Sequence, residues 1–212
     1  AVARVVGGAI LMLIIGVAKG LQIPTSWREW GLYIILGMTG NFVYQVVFNQ
    51  GLLTISAATS SIIMALTPMT TALMALVVYK DFMRPIGWLF TITAFAGVAI
   101  IILWKGPINV PMGAFWTLFG MILFAIYNIV NRGLSLKGHD SITVATWSMF
   151  TGAIMALPFV SQSVATIAAA PPIAWLAIIY LACFSSALGF VFWSYALEHA
   201  KHVSDLTNFM YL

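Results

Sequence analysis

The residues of this chain that could carry chemistry are amides and aromatics rather than acids or nucleophiles. Asn41, Gln45 and Asn49 are spaced i, i+4, i+8, so a helix carries them along one face with Tyr44 one step round. Their chemistry is hydrogen bonding, and an amide in lipid is unfavourable enough that the stripe must face protein or a water-filled cavity. Two readings stay open: bonds to neighbouring helices, each contributing ~0.6–2 kcal/mol, or the lining of a path for a polar solute. A second set comprises Ser186, Phe190 and Ser194, with Trp193 beside them, and Tyr127, Asn128 and Trp147 complete the candidates. Aromatics at helical spacing pack more often than they contact ligands. The binding set expected from these is Asn41, Tyr44, Gln45, Asn49, Tyr127, Trp147, Ser186 and Phe190.

Enzyme chemistry finds little support. His199 and His202 flank Lys201 with no Cys, Asp or Glu to complete a metal site at the usual spacing. Ser185-Ser186 lacks the Gly-x-Ser-x-Gly setting of a nucleophile elbow. There is no phosphate-binding glycine loop and no basic patch with interleaved aromatics, so no cofactor and no nucleic-acid partner is expected. The single cysteine, Cys183, can close no intrachain disulfide.

Composition sets where these residues live. The chain is 62% hydrophobic and 7% charged with a mean hydropathy of +1.05, whereas charged residues approach a quarter of an ordinary soluble domain. A helix needs roughly 20 apolar residues to cross the hydrocarbon core, and lipid tolerates only helices or closed barrels as spans. By that rule the spans are 5–18, 30–53, 57–79, 86–104, 112–131, 142–160 and 173–197, followed by a run too short to cross. Ser26-Trp27-Arg28-Glu29 forms a capping box ahead of the second span. Pro68 should bend the third, since it removes a backbone donor. Residues 132–141 read as a loop. Trp27, Trp30, Trp88, Trp104 and Trp175 stand at span ends, where amphipathic rings anchor at the interface.

An internal likeness organises the whole. Moving on 145 residues from the second span, Trp30 meets Trp175, Ile34 meets Ile179, Leu36 meets Leu181, Val46 meets Val191 and Leu52 meets Leu197. At an offset of 144, GGAILML from Gly7 resembles TGAIMAL from Thr151. Such a repeat determines architecture. Alternate loops hold seven lysines and arginines (Lys19, Arg28, Lys80, Arg84, Arg132, Lys137, Lys201) against two on the other side (Arg4, Lys105), which places the first set in the cytoplasm. The copies lie five spans apart, so the second enters the membrane upside down, the inverted-repeat plan of secondary transporters. The expected fold is therefore all-α, a polytopic transmembrane helical bundle of two inverted five-helix repeats. The first half is 1–104, lacking its first helix, and the second is 112–212, lacking its last helices. The register expects about 33 residues before Ala1 and about 37 after Leu212.

Phe48-Asn49-Gln50-Gly51-Leu52-Leu53-Thr54-Ile55-Ser56-Ala57-Ala58, Trp193-Ser194-Tyr195-Ala196-Leu197, Phe124-Ala125-Ile126-Tyr127 with Arg132, and Thr67-Pro68 resemble EamA-type members of the drug/metabolite transporter superfamily. The resemblance implies a ten-helix carrier of two inverted halves in a bacterial cytoplasmic (inner) membrane. Its partners would be a small-molecule substrate and the lipid bilayer, with oligomeric state left open; the contrast between Asn41, Gln45 and Asn49 on one face and Ser186, Phe190 and Ser194 on the other suits an amino acid or related compound. The alternative is a non-transporting membrane scaffold or channel-like module, which should be packed through its centre where a carrier keeps a cavity.

Overall fold

Helices account for nearly all the regular structure because the backbone of an apolar span has no other way to satisfy its polar groups. A computed structural model of the chain describes residues 2–80, 88–89, 92–93, 96–97, 100, 111–160 and 171–199. Their order is α1 (Val2–Lys19), α2 (Trp27–Leu36), a π-helical segment π1 (Gly37–Phe42), α3 (Val43–Leu52), α4 (Ala57–Met64), α5 (Thr67–Tyr79), α6 (Met112–Leu136), α7 (Ser141–Ala156) with a 3-10 turn at Leu157–Phe159, α8 (Pro172–Tyr180), a second π-helical segment π2 (Leu181–Leu188), and α9 (Gly189–His199). Among the described residues there is no strand, and six stretches are long and apolar enough to cross a membrane: Val2–Lys19, Trp27–Leu52, Ala57–Tyr79, Met112–Leu136, Ser141–Phe159 and Trp175–His199. The fold is an all-α polytopic membrane bundle. The expected fourth span, 86–104, lies largely outside the described residues, as do Trp104 and His202.

Local chemistry explains most boundaries. Ser26 caps α2, its Oγ accepting from the Arg28 N–H at 3.3 Å, while Glu29 Oε2 accepts from the Thr25 N–H at 2.9 Å, so the glutamate arm of the box reaches one residue further back than expected. The third span is two helices. α4 ends at Met64 and α5 begins at Thr67, because Pro68 has no N–H to give to Met64 O; the Thr67 hydroxyl donates to that carbonyl instead, at 2.6 Å. Residues 132–136, expected in a loop, are the last turn of α6. Arg132 is itself buried there and donates from Nη1 to Leu197 O at 2.6 Å and Glu198 O at 3.1 Å, capping the end of α9.

The described residues fall into two compact units. Unit 1 takes residues 2–43 and 130–199. At its centre α7 packs against α1, α2, π1 and α9, and α1 also meets π2. Val5, Ala9 and Met12 of α1 form one apolar cluster with Ala145, Met149 and Ala153 of α7 and Ala187 of π2. Small residues let the backbones approach, as membrane helices require: a Cβ on Gly37 would come within 2.5 Å of Gly152 N and 2.9 Å of Ser148 O. Thr151 Oγ1 donates to Tyr33 O at 2.7 Å and Thr146 Oγ1 to Met12 O at 3.2 Å. At one end, Tyr33 Oη and His139 Nδ1 are 3.2 Å apart, with Glu29 Oε1 3.9 Å from His139 Nε2.

Unit 2 takes residues 44–129. Its α6 segment is joined to α4 and α5 by a ladder of polar contacts, Ser60 Oγ with Thr117 Oγ1 at 3.4 Å, Asn128 Nδ2 to Thr71 Oγ1 at 3.2 Å and Tyr79 Oη to Ile129 O at 2.7 Å. Between the rungs sit Ile55, Ile63 and Ala114, then Leu66 with Met121. Gly51 and Gly113 cross closely, the Gly51 Cβ position lying 3.0 Å from Gly113 O.

Candidate functional site

Each of the eight residues expected to bind a ligand can be placed within its own unit. In unit 1, Asn41 is buried at 2% exposure and its Nδ2 donates to Ser148 Oγ at 3.5 Å. Trp147 donates from Nε1 to Gln22 O at 2.8 Å and packs edge-on to Trp30 with centroids 4.9 Å apart. Ser186 is buried beside Gly8, and Phe190 packs on the α1–α7 cluster. In unit 2, Gln45 is 8% exposed, Asn49 donates from Nδ2 to Gln45 O at 2.6 Å, and Tyr127 is buried and stacked on Phe124 at 5.6 Å. Tyr44 lines a cavity.

That cavity, of about 390 Å³, is bounded by Tyr44 and Phe48 of α3, by Ser61, Met64, Ala65, Thr67 and Pro68 around the α4–α5 break, and by Phe124 of α6. Its volume falls within the ~300–1,000 Å³ of small-molecule sites. Three rings furnish its walls: Tyr44 lies 5.8 Å from Phe48 and 5.2 Å from Phe124 between centroids. None of the eight lining residues is charged. Sequence reasoning had singled out only Tyr44 among them for binding. The signal for the rest was Thr67-Pro68 in mid-span: a proline there interrupts a membrane helix, and interrupted helices in transporters lie beside binding sites.

Relatives decide what kind of molecule carries this cavity. The EamA-like transporter family matches residues 1–103 and 111–204. The chain belongs to that family. A "Probable terminal-alkyne amino-acid exporter" of Streptantibioticus cattleyicolor is 27% identical over 209 residues, 99% of this EamA-like chain and 69% of its own length. An uncharacterized transporter of Bacillus subtilis is 27% identical over 199 residues, 90% of this chain and 64% of its own. The chain thus spans about two thirds of the length of these two relatives. One crystal structure matches 97% of this chain and 71% of its own with a TM-score of 0.68 at 20% identity, which shows the fold alone. With six described membrane-length helices and bacterial relatives of this family, this EamA-like protein is an integral protein of the cytoplasmic (inner) membrane.

Proposed function

We propose that the protein is a secondary transporter that moves a small organic metabolite, an amino acid or a close relative of one, by alternating access, in the direction of export. The observation that carries this reading is the uncharged, aromatic-walled cavity at a broken membrane helix in a chain of a transporter family. A scaffold would have no use for such a cavity, so the scaffold reading is disfavoured. The absence of lysine and arginine from the lining also disfavours sugar phosphates, which would need them. Export of an amino acid is supported by the name of the Streptantibioticus relative.

Alternating access asks for two related halves, proposed here as 1–104 and 112–212. Two structural coincidences support that repeat. Shifted by 145 residues, π1 (Gly37–Phe42) falls on 182–187, inside π2 (Leu181–Leu188). π-helical turns are rare and gather at functional sites, so two in one register are hard to attribute to chance. The close crossing of Gly37 with Gly152 also has a counterpart in the same register, where the Cβ positions of Gly7 and Gly8 meet Ala182 Cβ at 3.2 Å and Ala182 O at 3.4 Å. The proposed orientation gains support from unit 1, where the loop before α2 meets the first turn of α7: Gln22 N–H donates to Thr143 Oγ1 at 3.3 Å, beside the Tyr33–His139 contact. Both belong to the cytoplasmic set. Reconstituted in liposomes preloaded with unlabelled amino acids, the full protein is expected to exchange at least one labelled amino acid at several times the rate of empty liposomes. Rates equal to those of empty liposomes across the panel would remove the proposal.

A further inference from the structure

We infer that the unit 2 cavity takes the ammonium end of its ligand, so that the protein selects organic amines and binds amino acids by their amino group. This rests on the reading of the cavity as the substrate site and names the chemistry of that site.

Two hydroxyls of the lining have already spent their protons on backbone carbonyls. A hydroxyl has one proton to donate and two lone pairs to offer. Ser61 Oγ donates its proton to Ala57 O at 2.9 Å, and Thr67 Oγ1 donates to Met64 O at 2.6 Å. The Thr67 bond is held in place by Pro68, because breaking it would leave Met64 O unpaired inside a membrane protein. Toward a ligand, both hydroxyls are therefore acceptors.

α4 ends at Met64 and α5 begins at Thr67 on the same wall, so the partial charges of the two helix ends offset one another and the polarity of the lining rests on its hydroxyls and rings. The faces of Tyr44, Phe48 and Phe124 are the negative poles of their ring quadrupoles, which attract ammonium groups and repel anions. With no Lys, Arg or His among the lining residues, a carboxylate would meet no cation there and, besides lone pairs and rings, only the Tyr44 phenol as a side-chain donor. An ammonium would find acceptors for its protons and rings for its charge.

Three probes that share a phenyl ring and a short chain separate the possibilities: 2-phenylethylammonium, 3-phenylpropionate and neutral 2-phenylethanol. Binding to the purified full protein in detergent would be measured by isothermal titration calorimetry. The ammonium probe is expected to bind at least about tenfold tighter than either of the others, from cation–π attraction with hydroxyl acceptors added. Ser61→Ala should weaken its binding several-fold, and Thr67→Val should do the same with Thr67→Ser restoring it. Should Thr67→Val fail to fold, Ser61→Ala and Phe124→Leu still decide. Equal or tighter binding of 3-phenylpropionate overturns the inference while leaving the transport proposal standing if amino-acid exchange persists. If none of the probes binds and no amino acid exchanges, both fail together.

Discussion

Gly37→Ala is expected to remove most of the folded protein from detergent extracts, while Gly31→Ala, six residues earlier in the same helical run, leaves yield and melting temperature unchanged or slightly raised. The Gly37 Cβ position overlaps Thr151 Oγ1 and lies 2.5 Å from Gly152 N and 2.9 Å from Ser148 O. Two of these three atoms are backbone, so no rotamer change relieves the overlap. A Cβ on Gly152 would in turn come within 3.1 Å of Gly37 O and 2.7 Å of the Asn41 Cβ, so the crossing is close from both sides. Overpacking of this kind costs ~1–3 kcal/mol or more, a large part of the ~5–15 kcal/mol that stabilises a typical fold. A Cβ at Gly31 meets nothing within 4 Å, and alanine is the better helix former by about 1 kcal/mol. Monodispersity by size-exclusion chromatography checks both variants, and a Gly37→Ala protein that purifies and melts like the parent would contradict this packing.

Gln45→Leu should lower transport roughly ten- to a hundredfold while the protein remains inserted and monodisperse. The residue follows Tyr44 in the same turn and is 8% exposed. Gln45 is not one of the eight residues lining the cavity, so the proposal is that its amide bonds the part of the substrate that the cavity does not enclose, and losing a hydrogen bond to a charged group costs about 1.5–3 kcal/mol. Asn49→Leu gives the contrast. The Asn49 amide already donates to Gln45 O within its own helix, so its loss should change transport far less. If Gln45→Leu transports like the parent but melts lower, Gln45 is helix glue and not part of the path.

The membrane spans were legible because hydropathy alone places them: six of the seven expected spans correspond to described helices within a few residues at most ends. Position 132 shows why the exception arose. Asn131-Arg132-Gly133 is polar enough to look like a loop, yet Asn131 donates to Ser194 Oγ at 2.9 Å and Arg132 caps α9, so both polar groups are satisfied by a distant helix. Of the site, the amide stripe was visible because three amides at i, i+4, i+8 are conspicuous in an apolar span. The cavity was not, because Tyr44 and Phe48, Ser61 to Pro68, and Phe124 come from three stretches of chain, and of these only the mid-span Thr67-Pro68 carries a signal by itself. What joins them is the break at Ala65–Leu66, where Pro68 ends one hydrogen-bond ladder and Thr67 repairs it.

The central claim is that the cavity beside this break is where substrate sits. Ala65 lines it and is exposed, so a cysteine there should be open to a thiol reagent and shielded by any bound ligand. In a Cys183→Ser background, the rate of maleimide labelling of Ala65→Cys would be measured with and without a saturating concentration of an amino acid that the protein exchanges. The amino acid is expected to slow labelling several-fold, and the labelled protein is expected no longer to transport. Labelling at the same rate with and without substrate, or full transport after labelling, would contradict it.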